Sequence, residues 1–256
     1  TVYVGPGTYR ESLTVDVSGS AGNPITYIGD YTGANTDGAG GVVRITGSND
    51  DIATTRSSCI TAASKNYRTF RGFTFDLSSS HHIACSTACS NWIVEDCYFS
   101  LLPNNSVASA EFAGTGTSNT VRRCFFIGRH FGVEFTHSST VSSAGHLVEN
   151  CIFIGMIRGI SSVRVGGATV KNCAFWSCTA GVRVATALAG GQTITVNNCL
   201  LQICTTAFQA TATGEITENY NALYFNATDR TSTDTGANSN AYPALLDPRW
   251  FFEAVT

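Results

Sequence analysis

An all-β solenoid, a stack of parallel strand coils, is the fold class this sequence predicts, and three observations carry the prediction. One line (Val, two mostly polar residues, Cys, any residue, Phe) is written four times, as VEDCYFS from Val94, VRRCFFI from Val121, VENCIFI from Val148 and VKNCAFW from Val170. VNNCLLQ from Val196 and FRGFTFD from Phe70 fit it with Leu or Phe substituted, and TENYNAL from Thr217 is a weaker echo. The Cys place then falls at Phe73, Cys97, Cys124, Cys151, Cys173, Cys199 and Tyr220, in steps of 24, 27, 27, 22, 26 and 21 residues, which is the period of a repeat architecture. Between these lines run short stretches rich in Val, Ile, Phe and Thr, broken by Gly, Asn and Ser, with no helical i, i+3, i+4 pattern.

Taken in order, TVYV reads as a first strand, PGTYRE as a tight turn, GDYTGANTDGAGG as a polar loop and VVRIT as the next strand. From residue 60 a second set of runs precedes each Cys line, with inward pairs Ile60/Ala62, Ile83/Cys85, Ala110/Phe112, Val133/Phe135, Val163/Val165, Val182/Val184 and Phe208/Ala210. Two strands per repeat, with a third in the longer turns, make one coil, and coils stack about 4.8 Å apart so that equivalent residues form columns. The column Phe73, Cys97, Cys124, Cys151, Cys173, Cys199 and Tyr220 is a packing column of the core. The residue before it is Gly72, Asp96, Arg123, Asn150, Asn172, Asn198 or Asn219; Gly, Asn and Asp tolerate the left-handed bend a corner needs, and Arg123 is the exception. After residue 226 the repeat fails. Residues 1–226 are expected to form the solenoid, and 227–256 a loop or arm ending in an apolar cap or docking tail, ALLDPRWFFEAVT.

Composition excludes several functions. Of 256 residues only 13% are charged, the net charge is −3, and thirteen arginines stand beside two lysines, so there is no basic stripe for nucleic acid. No run of 18 apolar residues would span a membrane. The chain starts at Thr1 without Met and reads as processed or excised. Of ten cysteines five lie in the packing column; Cys178 with Cys204, or Cys85 with Cys89, could each bond. No Cys/His cluster has metal-ligand spacing, so no cofactor is expected, although Asp30, Asp37, Asp50 and Asp51 in Gly-rich loops could collect calcium. His81 and His82 should point to opposite sides, and His130, His137 and His146 fall at turns.

The Val-x-Asn-Cys-x-Phe repeat, with TVYVGPGTYRESLTV, NPITYIGD and VVRITGS ahead of it, resembles the right-handed parallel β-helix superfamily. That superfamily, the pectate-lyase-like one, also holds alginate epimerases and phage tail and virion proteins. The resemblance implies a single-stranded right-handed parallel β-helix of about seven to nine coils of 21–27 residues, in an extracellular, virion or cell-surface setting. The lysine, arginine and calcium-binding positions of the lyases find no match here, and the scaffold alone names no activity.

Three outer columns are candidates for function. The first runs Thr61, Ala84, Glu111, Glu134, Arg164, Arg183, Gln209. Adjacent carboxylates can divide into acid and base, so Glu111, Glu134, Arg164 and Arg183 are the catalytic candidates of a polysaccharide lyase or glycoside hydrolase; as an ion-pair ladder, Glu134 beside Arg164 would only stabilise the stack. The second column, Glu95, Arg122, Glu149, Lys171, Asn197, Glu218, alternates in sign and sets register. The third, Tyr98, Phe125, Ile152, Ala174, Leu200, is apolar yet outward. With Trp250, Phe251 and Phe252 of the tail it is the candidate interface, for other subunits of a homo-oligomer (the resemblance implies a trimer) or of a virion assembly. No set of nucleophile, base and oriented partner stands out. The preferred reading is therefore a structural and recognition element that docks into an assembly and contacts glycans, with the enzyme and a non-catalytic glycan-binding module as alternatives.

Overall fold

A computed structural model describes residues 1–50, 56–100, 102–104, 106–141, 145–188, 192–231 and 240–242, the last three and 139–141 by backbone alone. These residues form 28 strands and no helix. Up to Thr231 the chain visits three parallel sheets in rotation, so each strand pairs with the strand one turn earlier and the one a turn later. Sheets I, II and III hold nine, ten and nine described strands, and the stack makes about eight turns. Past residue 226, Thr228–Thr231 still pairs onto sheet III and Asn240–Tyr242 onto sheet II. Trp250, Phe251 and Phe252 of the expected tail, like Asp51, lie outside the described residues.

The repeated line is one corner of the coil. Its Val stands on the inner face of sheet I, where Phe70, Val94, Val121, Val148, Val170 and Val196 lie in register. Its Phe stands on the inner face of sheet II. There Phe75, Phe99, Phe126, Phe153 and Phe175 form a ladder with successive ring centroids 5.1, 4.7, 4.8 and 4.8 Å apart and rings within 18° of parallel. Offset stacking at this spacing adds to the burial of each ring. The cysteines sit between the two columns, buried, and each thiol points at the carbonyl two residues back, as from Cys151 to Glu149 at 3.3 Å. All ten cysteines are free, including Cys85, Cys89, Cys178 and Cys204.

At the corner, Gly72, Asp96, Arg123, Asn150, Asn172 and Asn198 all have φ between 50° and 76°. Arg123 adopts the left-handed conformation although it lacks the local side-chain bonding of Asn. It is held there by Asp96, at 2.7 and 3.0 Å, and by Glu95 at 2.8 Å. In the last repeat the register differs from expectation by one residue. Ile194, Thr195, Val196 and Asn197 pair with Ile216, Thr217, Glu218 and Asn219, so Tyr220 takes the corner (φ 56°) and is 62% exposed. Tyr220 is thus not in the core column; Asn221 occupies the Cys place, donating to Val196 O at 2.9 Å and accepting from Cys199 N at 2.8 Å. Glu218 correspondingly leaves the alternating outer column and takes the Val place, buried and ion-paired with Arg230. The outer column is Arg71, Glu95, Arg122, Glu149, Lys171, Asn197, Asn219.

The histidines are more deeply buried than their places in the sequence suggest. His82 faces inward against Phe75 and Phe99 as His81 faces out, but His130 and His146 are buried as well. His146 stacks on Phe135 at 4.3 Å, and His130 bonds Ser109 Oγ at 2.7 Å. Burial lowers His130 and His146 to about 4, and burial, with His130 beside it, holds His82 well below the usual histidine range. The unfolded chain then binds more protons than the folded one below about pH 6.5. Stability from the neutral imidazoles is full above that pH and falls as pH drops towards 4, by up to about 1.4 kcal/mol per histidine per unit. The urea midpoint is expected to decline between pH 6.5 and 4.5, and less so in His146→Phe; a midpoint unchanged over that range would refute this.

Candidate functional site

The charged row lies on the outer face of sheet III. Glu111 pairs in register with Ala84 on one side and Glu134 on the other, followed by Ser161, Arg183 and Gln209. Arg164, expected beside Glu134, is not in the row. The strand Arg158–Val165 shifts register after Ser162, and Arg164 has a φ of 62°, so Ser161 takes the expected place. The pair in register with the other inward pairs is Ile160 and Ser162; Val163 is half-buried, and Val165 is buried in the core beyond the register shift.

What fixes this register is a glycine column one residue before the inward pair: Gly132, Gly159 and Gly181. A Cβ on Gly132 would lie 2.6 Å from the Phe153 ring, on Gly159 2.4 Å from Phe175, and on Gly181 2.5 Å from Leu201 Cδ2. The second sheet's inner column therefore leaves room for nothing larger. The shared signal FGVEF, RGISS, AGVRV was present in the sequence, and it would have placed Arg158 and Ser161 in the site where alternation alone chose VRV.

Arg158 completes the cluster. Its guanidinium lies 4.0 Å over the Phe131 ring, with Nη1 3.9 Å from Glu134 Oε1 and 3.5 Å from Ser161 Oγ. Ser161 Oγ donates to Glu134 Oε1 at 2.9 Å. On the other side His81 Nε2 lies 3.5 Å from Glu111 Oε2, and its Nδ1 is 2.8 Å from Ser80 Oγ. Only 19% of the Glu111 side chain and 12% of the Glu134 side chain meet solvent.

These surroundings treat the two carboxyls differently. Burial, and then the charge of Glu134, push Glu111 up to about 7. Burial also raises Glu134, but the Ser161 hydroxyl, Arg158 and Arg183 oppose it. Arg158 is itself pushed down by burial and then by Arg183. Burial raises both carboxyls, but a hydroxyl and two guanidiniums oppose it only at Glu134, so Glu111 is the better proton donor of the two.

Glu111 also costs the fold stability as it ionises. Its folded value lies above the unfolded one, so its contribution is full below about pH 4.5 and is lost as pH rises towards 7. Glu111→Gln, which imitates the protonated acid, is expected to raise the melting temperature by several degrees at pH 8 and hardly at all at pH 4. Equal shifts at both would show that the carboxyl is not strained by its site.

The outer face of sheet II carries the apolar stripe. Thr74, Tyr98, Phe125, Ile152, Ala174, Leu200 and Ala222 stand in register, with Tyr98 39% and Ile152 43% exposed. Two residues on, Ile127, Ile154 and Trp176 make a second, half-buried apolar column. The calcium candidates have other work: Asp30 accepts from Asn35 N, Thr32 Oγ1 and Thr36 Oγ1, and Asp37 from Ala39 N. Among the described residues no group of three or more His, Cys, Asp or Glu is placed to hold a metal ion.

No protein-family model and no curated protein matches the chain. Among solved structures it is similar to an alginate lyase from Paenibacillus sp. str. FPU-7, at 13% identity and a TM-score of 0.61 over 94% of this chain and 91% of that one. Pectate lyase Pel9A is similar at 13% identity and a TM-score of 0.49, over 94% and 69% of the two chains. A tailspike protein of E. coli bacteriophage HK620 is similar at 12% identity and a TM-score of 0.43, over 91% and 59%. At these identities the likeness is one of fold, and the chain is a right-handed parallel β-helix.

Proposed function

We propose that this β-helix cleaves a glycosidic bond of an acidic polysaccharide at the Glu111/Glu134 pair. One observation carries the reading: two carboxyls on neighbouring strands, the first held protonated near neutrality by burial and the second bonded by Ser161 and flanked by Arg158. Strands about 4.8 Å apart suit the closer carboxyl separation of retaining glycosidases, about 5–5.5 Å, better than the wider one of inverting enzymes. Glu134 would attack the anomeric carbon as Glu111 gives its proton to the departing glycosidic oxygen. A water, deprotonated by Glu111, would then displace Glu134 and restore both groups. Arg158 and Arg183 repel each other, and an anionic sugar beside them would relieve that repulsion, which supports an acidic substrate. The alginate lyase that shares the fold acts, by its name, on a polysaccharide of this class.

The test is incubation with alginate, polygalacturonate and a neutral glucan, reading both reducing ends and unsaturated-sugar absorbance. Reducing ends without unsaturation are expected from an acidic chain. Unsaturated product would replace hydrolysis by elimination, and no release from any substrate would overturn cleavage altogether. In that event the alternative is a rigid recognition element of a virion or cell surface. The outer apolar stripe Tyr98, Phe125, Ile152, Leu200, exposed at Tyr98 and Ile152, favours it, and sedimentation as a trimer or other homo-oligomer would support it.

A further inference from the structure

The outer face of sheet II holds two grooves that the Glu111/Glu134 chemistry does not use. One, of about 980 Å³, lies at the corner between sheets I and II, lined by Tyr31, Val42, Arg71, Asp96, Arg123 and Phe125 among others. The other, of about 1230 Å³, lies towards the opposite corner, between Leu102 and Pro103 on one side and Arg129, Gly155 and Thr179 on the other. Tyr98 lines both, so they form one run across the face.

The chemistry of this run is specific in three respects. Its middle is an aromatic ridge: the Tyr98 and Phe125 rings stack 5.4 Å apart and 6° from parallel, on the outside of the sheet. Stacked face to face, they turn their edges outward, and an apolar ridge with a phenol on it is suited to lie along the apolar face of a sugar ring. Its rim is cationic. Arg71 and Arg123 line the first groove on either side of Asp96, and Arg129 stands exposed on the second. Finally, each groove alone has the size of a small-molecule pocket, so the two together suit a chain of several residues rather than a single sugar.

We propose that this run is a binding groove for an acidic oligosaccharide, one sugar ring lying along the Tyr98/Phe125 ridge and a sugar carboxylate meeting the guanidinium of Arg129. The site is on a different sheet from Glu111 and Glu134 and does not depend on cleavage there. It would hold an acidic polymer on the solenoid whether or not that polymer is cut.

Calorimetric titration of the full chain with oligogalacturonate, and with a neutral oligosaccharide of equal length, tests it. The acidic ligand is expected to bind and the neutral one to bind at least about tenfold more weakly. Tyr98→Ala should weaken the acidic ligand about tenfold, Tyr98→Phe should keep most of the affinity, and Arg129→Glu should weaken it several-fold and reduce the salt dependence. Arg129 is exposed, so that variant reads the site even where Tyr98→Ala misfolds. Calorimetry reads binding and the reducing-end assay reads cleavage, so either proposal can fail while the other stands. Equal binding of both ligands, affinity untouched by Tyr98→Ala and Arg129→Glu, or no binding to either would overturn it; in the last case, self-association lost in Tyr98→Ala would assign the stripe to a second copy of the chain.

Discussion

Glu134→Gln is expected to lower the rate of glycan cleavage by about 10³-fold or more, and Glu111→Gln by about 10²-fold or more, with little change in substrate affinity. The two losses should differ in kind. Glu134 bonds Ser161 and lies nearest Arg158, so its amide removes the attacking oxygen. Glu111 supplies the proton, and its loss should weigh least on substrates with good leaving groups. A small anion such as azide should distinguish them by product, a glycosyl azide of retained configuration from Glu111→Gln, where it displaces Glu134, and one of inverted configuration from Glu134→Gln, where it attacks the anomeric carbon directly. The wild-type rate should fall as pH rises through about 7, where Glu111 loses its proton. Cleavage that survives both substitutions would place the chemistry elsewhere, and a rate still rising above pH 8 would remove Glu111 as the acid.

Phe153→Ala is expected to destabilise the fold by about 3–5 kcal/mol. Phe153 lies between Phe126 and Phe175 at 4.8 Å on each side, is fully buried, and fills the space left by Gly132. Neighbouring coils cannot move in to close the gap, since their spacing is set by the backbone ladders of three sheets. The void persists, and the cost should stand near the upper end for an aromatic truncation. Phe125→Ala, on the outer face one strand away, should cost less than about 1 kcal/mol, because its ring keeps part of its contact with water. Similar urea midpoints for the two variants would contradict the assignment of inner and outer columns.

Most of the architecture was legible in the residues. Val, Cys and Phe recur at fixed offsets because stacked parallel strands bring equivalent residues together, and like side chains pack on like ones. Even Arg123, the exception at the corner, obeys the rule. The errors have local causes. TENYNAL was aligned one residue off because its Tyr resembles the core aromatics, whereas Glu218 accepts the Val place only through Arg230, a partner 12 residues on. His130 and His146 lie at turns as read, and what the sequence did not show is their burial against Ser109 and Phe135.

The candidate site was half legible. Glu111 and Glu134 fell on one row, as alternation requires, but Arg164 was taken for a neighbour that Ser161 and Arg158 turned out to be. A repeat pattern is a statement about period, and a period is blind to a register shift within one strand; the shift after Ser162 is decided by what the glycine column can accommodate from the opposite sheet. Periodicity alone thus dictated the coil, its inner columns and the outward place of the two glutamates. Which side chains surround those glutamates, which carboxyl keeps its proton, and that Tyr98 joins two grooves depend on contacts across coils and sheets, and those exist only once the chain is wound.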